Sequence, residues 1–165
     1  MKYIFLIFLF SFQQAYSQSL RLTPDLGEIT SKVKSKKIIK TFGKPDSIID
    51  NSNPPGKNWQ HYQLVYNQSG VTFWITPRLI KESVKKSNLS RIEIYPNSKI
   101  LFNNQIVNEL DSSRVTNLYG KPKHKSFYPN EIIFSYEFAT NEYHSEVRFR
   151  WERNGTLQRI EIICF

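Results

Sequence analysis

Apolar and polar positions alternate along this chain in short runs, and the runs come in two sets of three. The first set is Trp59–Tyr66, Val71–Thr76 and Leu89–Tyr95; the second is Glu131–Ala139, Glu146–Glu152 and Leu157–Cys164. A period of two is what a strand with one face in a core requires, so the pattern predicts three antiparallel strands per set. Alternation also divides the side chains between two faces. Tyr62, Leu64, Tyr66, Val71, Phe73, Ile75, Ile92 and Ile94 share one face with Ile132, Phe134, Tyr136, Phe138, Val147, Phe149, Trp151, Ile160, Ile162 and Cys164. Trp59, Trp74, Arg91, Tyr95, Arg148, Arg150 and Arg159 fall on the other.

A short helix precedes each set. Ile38, Ile39 and Phe42 supply the apolar face of the first, and Val115, Leu118 and Tyr119 that of the second. Ser35 is the expected cap of one, and Asp111 or Ser112 of the other. Each helix runs into the same triplet, Gly43-Lys44-Pro45 and Gly120-Lys121-Pro122. Glycine there suits a left-handed C′ residue, and the proline behind it prevents the helix from resuming. The triplet lacks the further glycines and the Lys-Ser/Thr ending of a phosphate loop. Upstream, Ile100–Phe102 and Gln105–Val107 flank Asn103-Asn104 as a hairpin, with a first counterpart in Leu20–Leu22 and Glu28–Thr30.

The words recur as well as the pattern. Phe42-Gly43-Lys44-Pro45 returns as Tyr119-Gly120-Lys121-Pro122, and Arg91-Ile92-Glu93-Ile94 as Arg159-Ile160-Glu161-Ile162. The expectation is an α+β fold of two tandem units, residues 18–98 and 99–165, each a short helix plus antiparallel strands with the helices on one face. Three segments break the symmetry as candidate functional loops: Ile49–Asn58, Pro77–Asn88 and Thr140–Ser145.

The first 17 residues stand apart. Lys2, the apolar run Tyr3–Phe12 and the small residues of Ala15-Tyr16-Ser17 are the parts of a cleaved secretory signal. Ten apolar residues span about 15 Å as a helix, too little for a bilayer, and no later stretch approaches that length. With Cys164 the only cysteine, neither a disulfide nor a lipid anchor is expected. The chain therefore reads as a soluble exported protein, periplasmic or extracellular.

Charge changes the picture for one half only. Residues 18–98 carry 13 Lys/Arg against 6 Asp/Glu, whereas residues 99–165 carry 9 against 8. Lys32, Lys36, Lys37 and Lys40 around the first helix, with Arg78, Lys81, Lys85 and Lys86 in a loop, could meet an anionic glycan or lipid surface. A solvated lysine face is the plainer alternative.

Catalytic chemistry leaves no mark. His61, His124 and His144 lack metal-ligand spacing, and no nucleophile elbow or histidine–acid signature occurs. No metal, cofactor or enzyme activity is expected, although a site assembled across distant loops stays open as an alternative. Nucleic acid is not an expected partner either, because the aromatics fall mainly on the core face. What remains is the second sheet face. Trp74, Trp59, Arg91, Tyr95, Arg148, Arg150 and Arg159 have the tryptophan-and-arginine composition of a protein interface. The competing reading is a solvated face of cross-strand ion pairs, such as Arg159 with a neighbouring glutamate.

Helix, Gly-Lys-Pro stop and antiparallel strands, used twice, resemble the tandem fold of the β-lactamase inhibitory proteins. Each single unit also resembles the BamE/SmpA domain of outer-membrane assembly. The chain departs from the first in having no disulfide and from the second in having no lipobox cysteine. The resemblance implies a non-catalytic, exported, protein-binding module, inhibitor-like or envelope-assembly-like, whose partner lies in the cell envelope or outside the cell.

Overall fold

The computed structural model describes residues 21–22, 33–51, 61–77, 84, 87–102, 104–139 and 144–165. The expected signal segment, Lys32, Trp59, Arg78, Lys81, Lys85 and Lys86 lie outside them, as does Glu28–Thr30, the second arm of the first hairpin.

In chain order the elements are β1 (Arg21–Leu22), α1 (Ser35–Phe42), β2 (Ser47–Asp50), β3 (Tyr62–Tyr66), β4 (Val71–Thr76), β5 (Asn88–Ile94), β6 (Leu101–Phe102), β7 (Gln105–Ile106), α2 (Ser112–Tyr119), β8 (His124–Phe127), β9 (Glu131–Ala139), β10 (His144–Glu152) and β11 (Leu157–Cys164). The fold is α+β. Eight strands form one antiparallel sheet in the order β2-β3-β4-β5-β11-β10-β9-β8. Read inward from either edge, the order takes four strands in sequence, and the two blocks meet where β5 pairs with β11. A small second sheet joins β1, β6 and β7, with β1 running parallel to β6.

One face of the large sheet is the core. All the residues that alternation assigns to that face lie in one apolar cluster or pack against it, with Ile38 of α1 and Val115 of α2 above them. Aromatic rings pin the helix ends to the sheet. Phe42 lies 4.7 Å from Phe73 between ring centroids, and Tyr119 lies 5.7 Å from both Tyr136 and Phe149. Edge-to-face and offset contacts of this kind add to the stabilisation of burial itself. Trp151, fully buried, satisfies its indole N–H by donating to Leu110 O at 3.0 Å.

The two helix stops are built alike. Gly43 has φ 83° and ψ −165°, and Gly120 has φ 76° and ψ −157°. Both sit in the region that only glycine occupies without strain, but with an extended ψ in place of the left-handed value expected. Each glycine carbonyl is held by a tyrosine of the sheet: Tyr66 Oη donates to Gly43 O at 3.0 Å and Tyr136 Oη to Gly120 O at 3.2 Å.

Several expectations need correction. Ser35 does not cap α1; it is the first helical residue, fully buried, and its hydroxyl donates to Val84 O. Lys34 takes the cap position without a capping bond, whereas Asp111 caps α2 through Arg114 N at 2.7 Å. Leu118 faces solvent, not the core. Two strands went unforeseen, β2 and β8, because their short edge positions carry no alternation of burial. Ile49 and Asp50 belong to β2, Asn88 to β5, and His144 and Ser145 to β10, so each expected loop is shorter than its sequence bounds. Tyr95 follows β5 and is not part of it.

Candidate functional site

The face opposite the helices carries Trp74, Arg91, Arg148, Arg150 and Arg159, as alternation requires, with Tyr95 at its margin. Pairing brings them into rows. Thr72, Glu93, Glu161, Arg148 and Ser135 stand directly opposite one another across β4, β5, β11, β10 and β9. Gln63, Trp74, Arg91, Ile163 and Glu146 form the adjacent row.

The centre of this face is not open. Glu161 is 1% exposed, Thr72 4% and Glu93 7%. A carboxylate can be this far from water only when charge and hydrogen bonds replace its hydration. Glu161 takes a hydrogen bond from Arg159 Nε at 2.8 Å and an ion pair from Arg150 Nε at 3.0 Å. Burial alone would raise its pKa; the Arg159 hydrogen bond and the Arg150 charge outweigh it and hold the group below the ordinary carboxylate value. Arg150 reaches further, donating from Nη1 to both oxygens of Glu131 at 3.0 Å, so one guanidinium ties β9, β10 and β11 together. Arg148 grips Glu146 in a two-point contact at 2.7 and 2.8 Å. Glu93 accepts from Tyr95 Oη at 3.0 Å and faces Arg91 Nη1 at 3.6 Å.

All four arginines therefore engage glutamates of their own sheet. Neither Glu131 nor Glu146 figures among the expected partners; for Glu146 the signal exists, since residues two apart on a strand share a face and Glu146-Val147-Arg148 is such a pair, whereas Glu131 meets Arg150 from the neighbouring strand.

Trp74 occupies a different position in this network. It is partly buried, with the Arg91 guanidinium 5.0 Å from its ring centroid. Its indole Nε1 is enclosed and has no hydrogen-bond partner among the described residues. Its carbonyl accepts from Ser90 Oγ at 3.1 Å, and a β-bulge follows between Trp74 and Ile75. A second bulge lies between Arg150 and Trp151, so Trp74 and Arg150 hold corresponding places in the two blocks. Beyond Tyr95 a cleft of about 500 Å³ is lined by Val65, Asn67, Thr72, Tyr95 and Asn97 among others.

Lys36, Lys37 and Lys40 lie on the other side of the molecule, exposed along α1. Among the described residues no cluster of three or more His, Cys, Asp or Glu is placed to hold a metal. No helix of the described residues is long and apolar enough to cross a membrane.

Neither a family model nor a curated protein matches the sequence. Among solved structures, YjgB of Bacillus subtilis, a DUF4309 family protein, aligns at 14% identity with a TM-score of 0.47, over 82% of this chain and 81% of that one.

Proposed function

We propose that this chain is an exported, non-catalytic protein-binding module that presents its helix-free sheet face to a partner in the envelope or outside the cell. The observation that carries the reading is Trp74. A tryptophan ring only partly buried on the helix-free face, with an arginine guanidinium over it, has the composition of an interface anchor. Arg91 beside it, and Arg148, Arg150 and Arg159 further across the same face, contribute shape and charge; their glutamate partners hold them rigid, which lowers the ordering cost of association.

The same proposal takes the two blocks as copies of one unit, as in the inhibitor and assembly domains the sequence resembles. Matching bonds support it. Asp46 N donates to Val65 O and Lys123 N to Ser135 O, both at 2.9 Å, and each donor directly follows the proline of a helix stop. The Tyr66–Gly43 and Tyr136–Gly120 bonds and the paired bulges fall at matching places as well.

The test places a photo-crosslinking residue at Gln63, directly opposite Trp74, and, separately, at Leu118 on the helix side, then exposes each protein to envelope extract. A partner captured at 63 and not at 118 supports the reading. Trp74→Ala should weaken that capture by about 2 kcal/mol or more while leaving stability little changed. A stability loss of about 3–5 kcal/mol would mean that Trp74 serves packing instead.

A further inference from the structure

The helix side of the first block differs from that of the second in charge. Between Lys34 and Lys44 the chain carries five lysines and no acid. Lys36 and Lys40 stand one turn apart on the outer face of α1, since Ile38, Ile39 and Phe42 pack inward. Lys44 follows the Gly43 stop. All three are exposed, and among the described residues none forms an ion pair. Like charges one turn apart oppose the helix, and lysine in the first turn opposes its dipole. The cap position adds no relief, being Lys34 without a capping bond. The second helix has none of this: Asp111 caps it, and its one cation, Arg114, is paired with Glu109 at 3.1 Å.

An apolar residue, Ile48, follows Lys44 by four positions, with Asp46 between them. Ile48 pairs with the buried core residue Leu64 across β2 and β3, so it projects on the helix side of the sheet, yet it is 52% exposed.

We propose that this side of the first block docks on an anionic lipid bilayer. Lys36, Lys40 and Lys44 engage the head groups through long flexible stems, and Ile48 enters the interface beside them. An anionic polysaccharide would satisfy the lysines but offers nothing for the isoleucine to enter. The docked side is opposite the face that carries Trp74, so a bound partner and a bilayer occupy separate surfaces.

Co-sedimentation of the full chain with vesicles tests this. Phosphatidylcholine with about one-third phosphatidylglycerol should bind the protein, pure phosphatidylcholine should not, and binding should fall as salt rises above about 0.15 M. Each lysine at an anionic leaflet adds about fivefold, so combining Lys36→Gln, Lys40→Gln and Lys44→Gln should weaken binding about a hundredfold. Ile48→Ser alone should weaken it about tenfold. Lys99→Gln, Lys121→Gln and Lys125→Gln together remove the same charge from elsewhere and should change binding by no more than about twofold. Equal loss in the two triple variants would reduce the effect to net charge and overturn the assignment. Capture by soluble heparin without vesicle binding would overturn it in favour of a polyanion. Every site changed is exposed or half-exposed, and a circular dichroism melt of each variant separates loss of binding from loss of fold.

Discussion

Replacing Glu161 by glutamine removes one charge from the most enclosed ionic group of the sheet and leaves its shape intact. Removing one partner of a buried ion pair costs about 3–5 kcal/mol, because the other charge stays behind without compensation. Here two features reduce that figure. Arg150 keeps Glu131 as a second acceptor, and the Arg159 side chain is 33% exposed, so water can reach it. The expected loss is therefore about 2–3 kcal/mol, or a fall of about 1 M in urea midpoint. Glu131→Gln serves as the comparison. Its side chain is 27% exposed, so its pair should contribute only about 1 kcal/mol or less. The pH dependence follows from the same charges. A folded-state pKa below the unfolded one gives stability that is present above the unfolded value, about 4.3, and is lost as pH falls through the lowered one. Urea titrations of the wild type should therefore show a loss of stability on acidification that Glu161→Gln shares only in part, Glu146 being depressed as well. If Glu161→Gln and Glu131→Gln cost the same, within about 0.5 kcal/mol, the centre of this face is hydrated and the reasoning fails.

Tyr66→Phe and Tyr136→Phe should each cost about 0.5–1.5 kcal/mol, and the double variant should equal their sum within about 0.5 kcal/mol. Stronger coupling in denaturation curves would mean that the two helix anchors are not separate. Gly43→Ala and Gly120→Ala should each cost about 1–3 kcal/mol from backbone strain, since a Cβ at either position meets nothing within 4 Å. A neutral result in thermal melts would show that the positive φ is dispensable. Burial pushes the Cys164 thiol up to about 12, so a disulfide reagent at about pH 8 should label the native protein slowly and the urea-unfolded protein at once. Immediate native labelling would place Cys164 at the surface.

Legibility tracked the strength of each local signal. The six long strands could be read because one face of each is apolar at every second position, and Phe73, Phe149 and Ile162 are buried where that rule puts them. The glycine stops were equally plain, since Gly-x-Pro after an apolar turn has few other uses. Strands β2 and β8 were not legible: Ser47–Asp50 is exposed throughout, and its pairing to β3 is decided by the neighbour, not by its own residues. The second face was read for its residues but not for its state. Alternation puts Arg159 beside Glu161 on one face of β11, but does not tell that Arg150 will reach the same carboxylate from β10. That depends on register between β10 and β11, including the bulge after Arg150, which no single run of sequence carries. Ser35 shows the same limit, because its hydroxyl finds Val84 49 residues away and so leaves the capping role empty.

The seam between β5 and β11 also sets an order of events. Leu157–Cys164 is later in the chain than every other strand, yet it occupies a central place in the sheet, between β5 and β10. While the chain is being synthesised from its N-terminus, β5 and β10 each present a bare edge until that segment emerges, and bare edges invite pairing with other chains. The sheet is thus completed from the middle, and its last strand arrives as a keystone: before it, two four- and three-strand fragments; after it, one continuous ladder with Ile92 locked against Ile162 and Ile94 against Ile160.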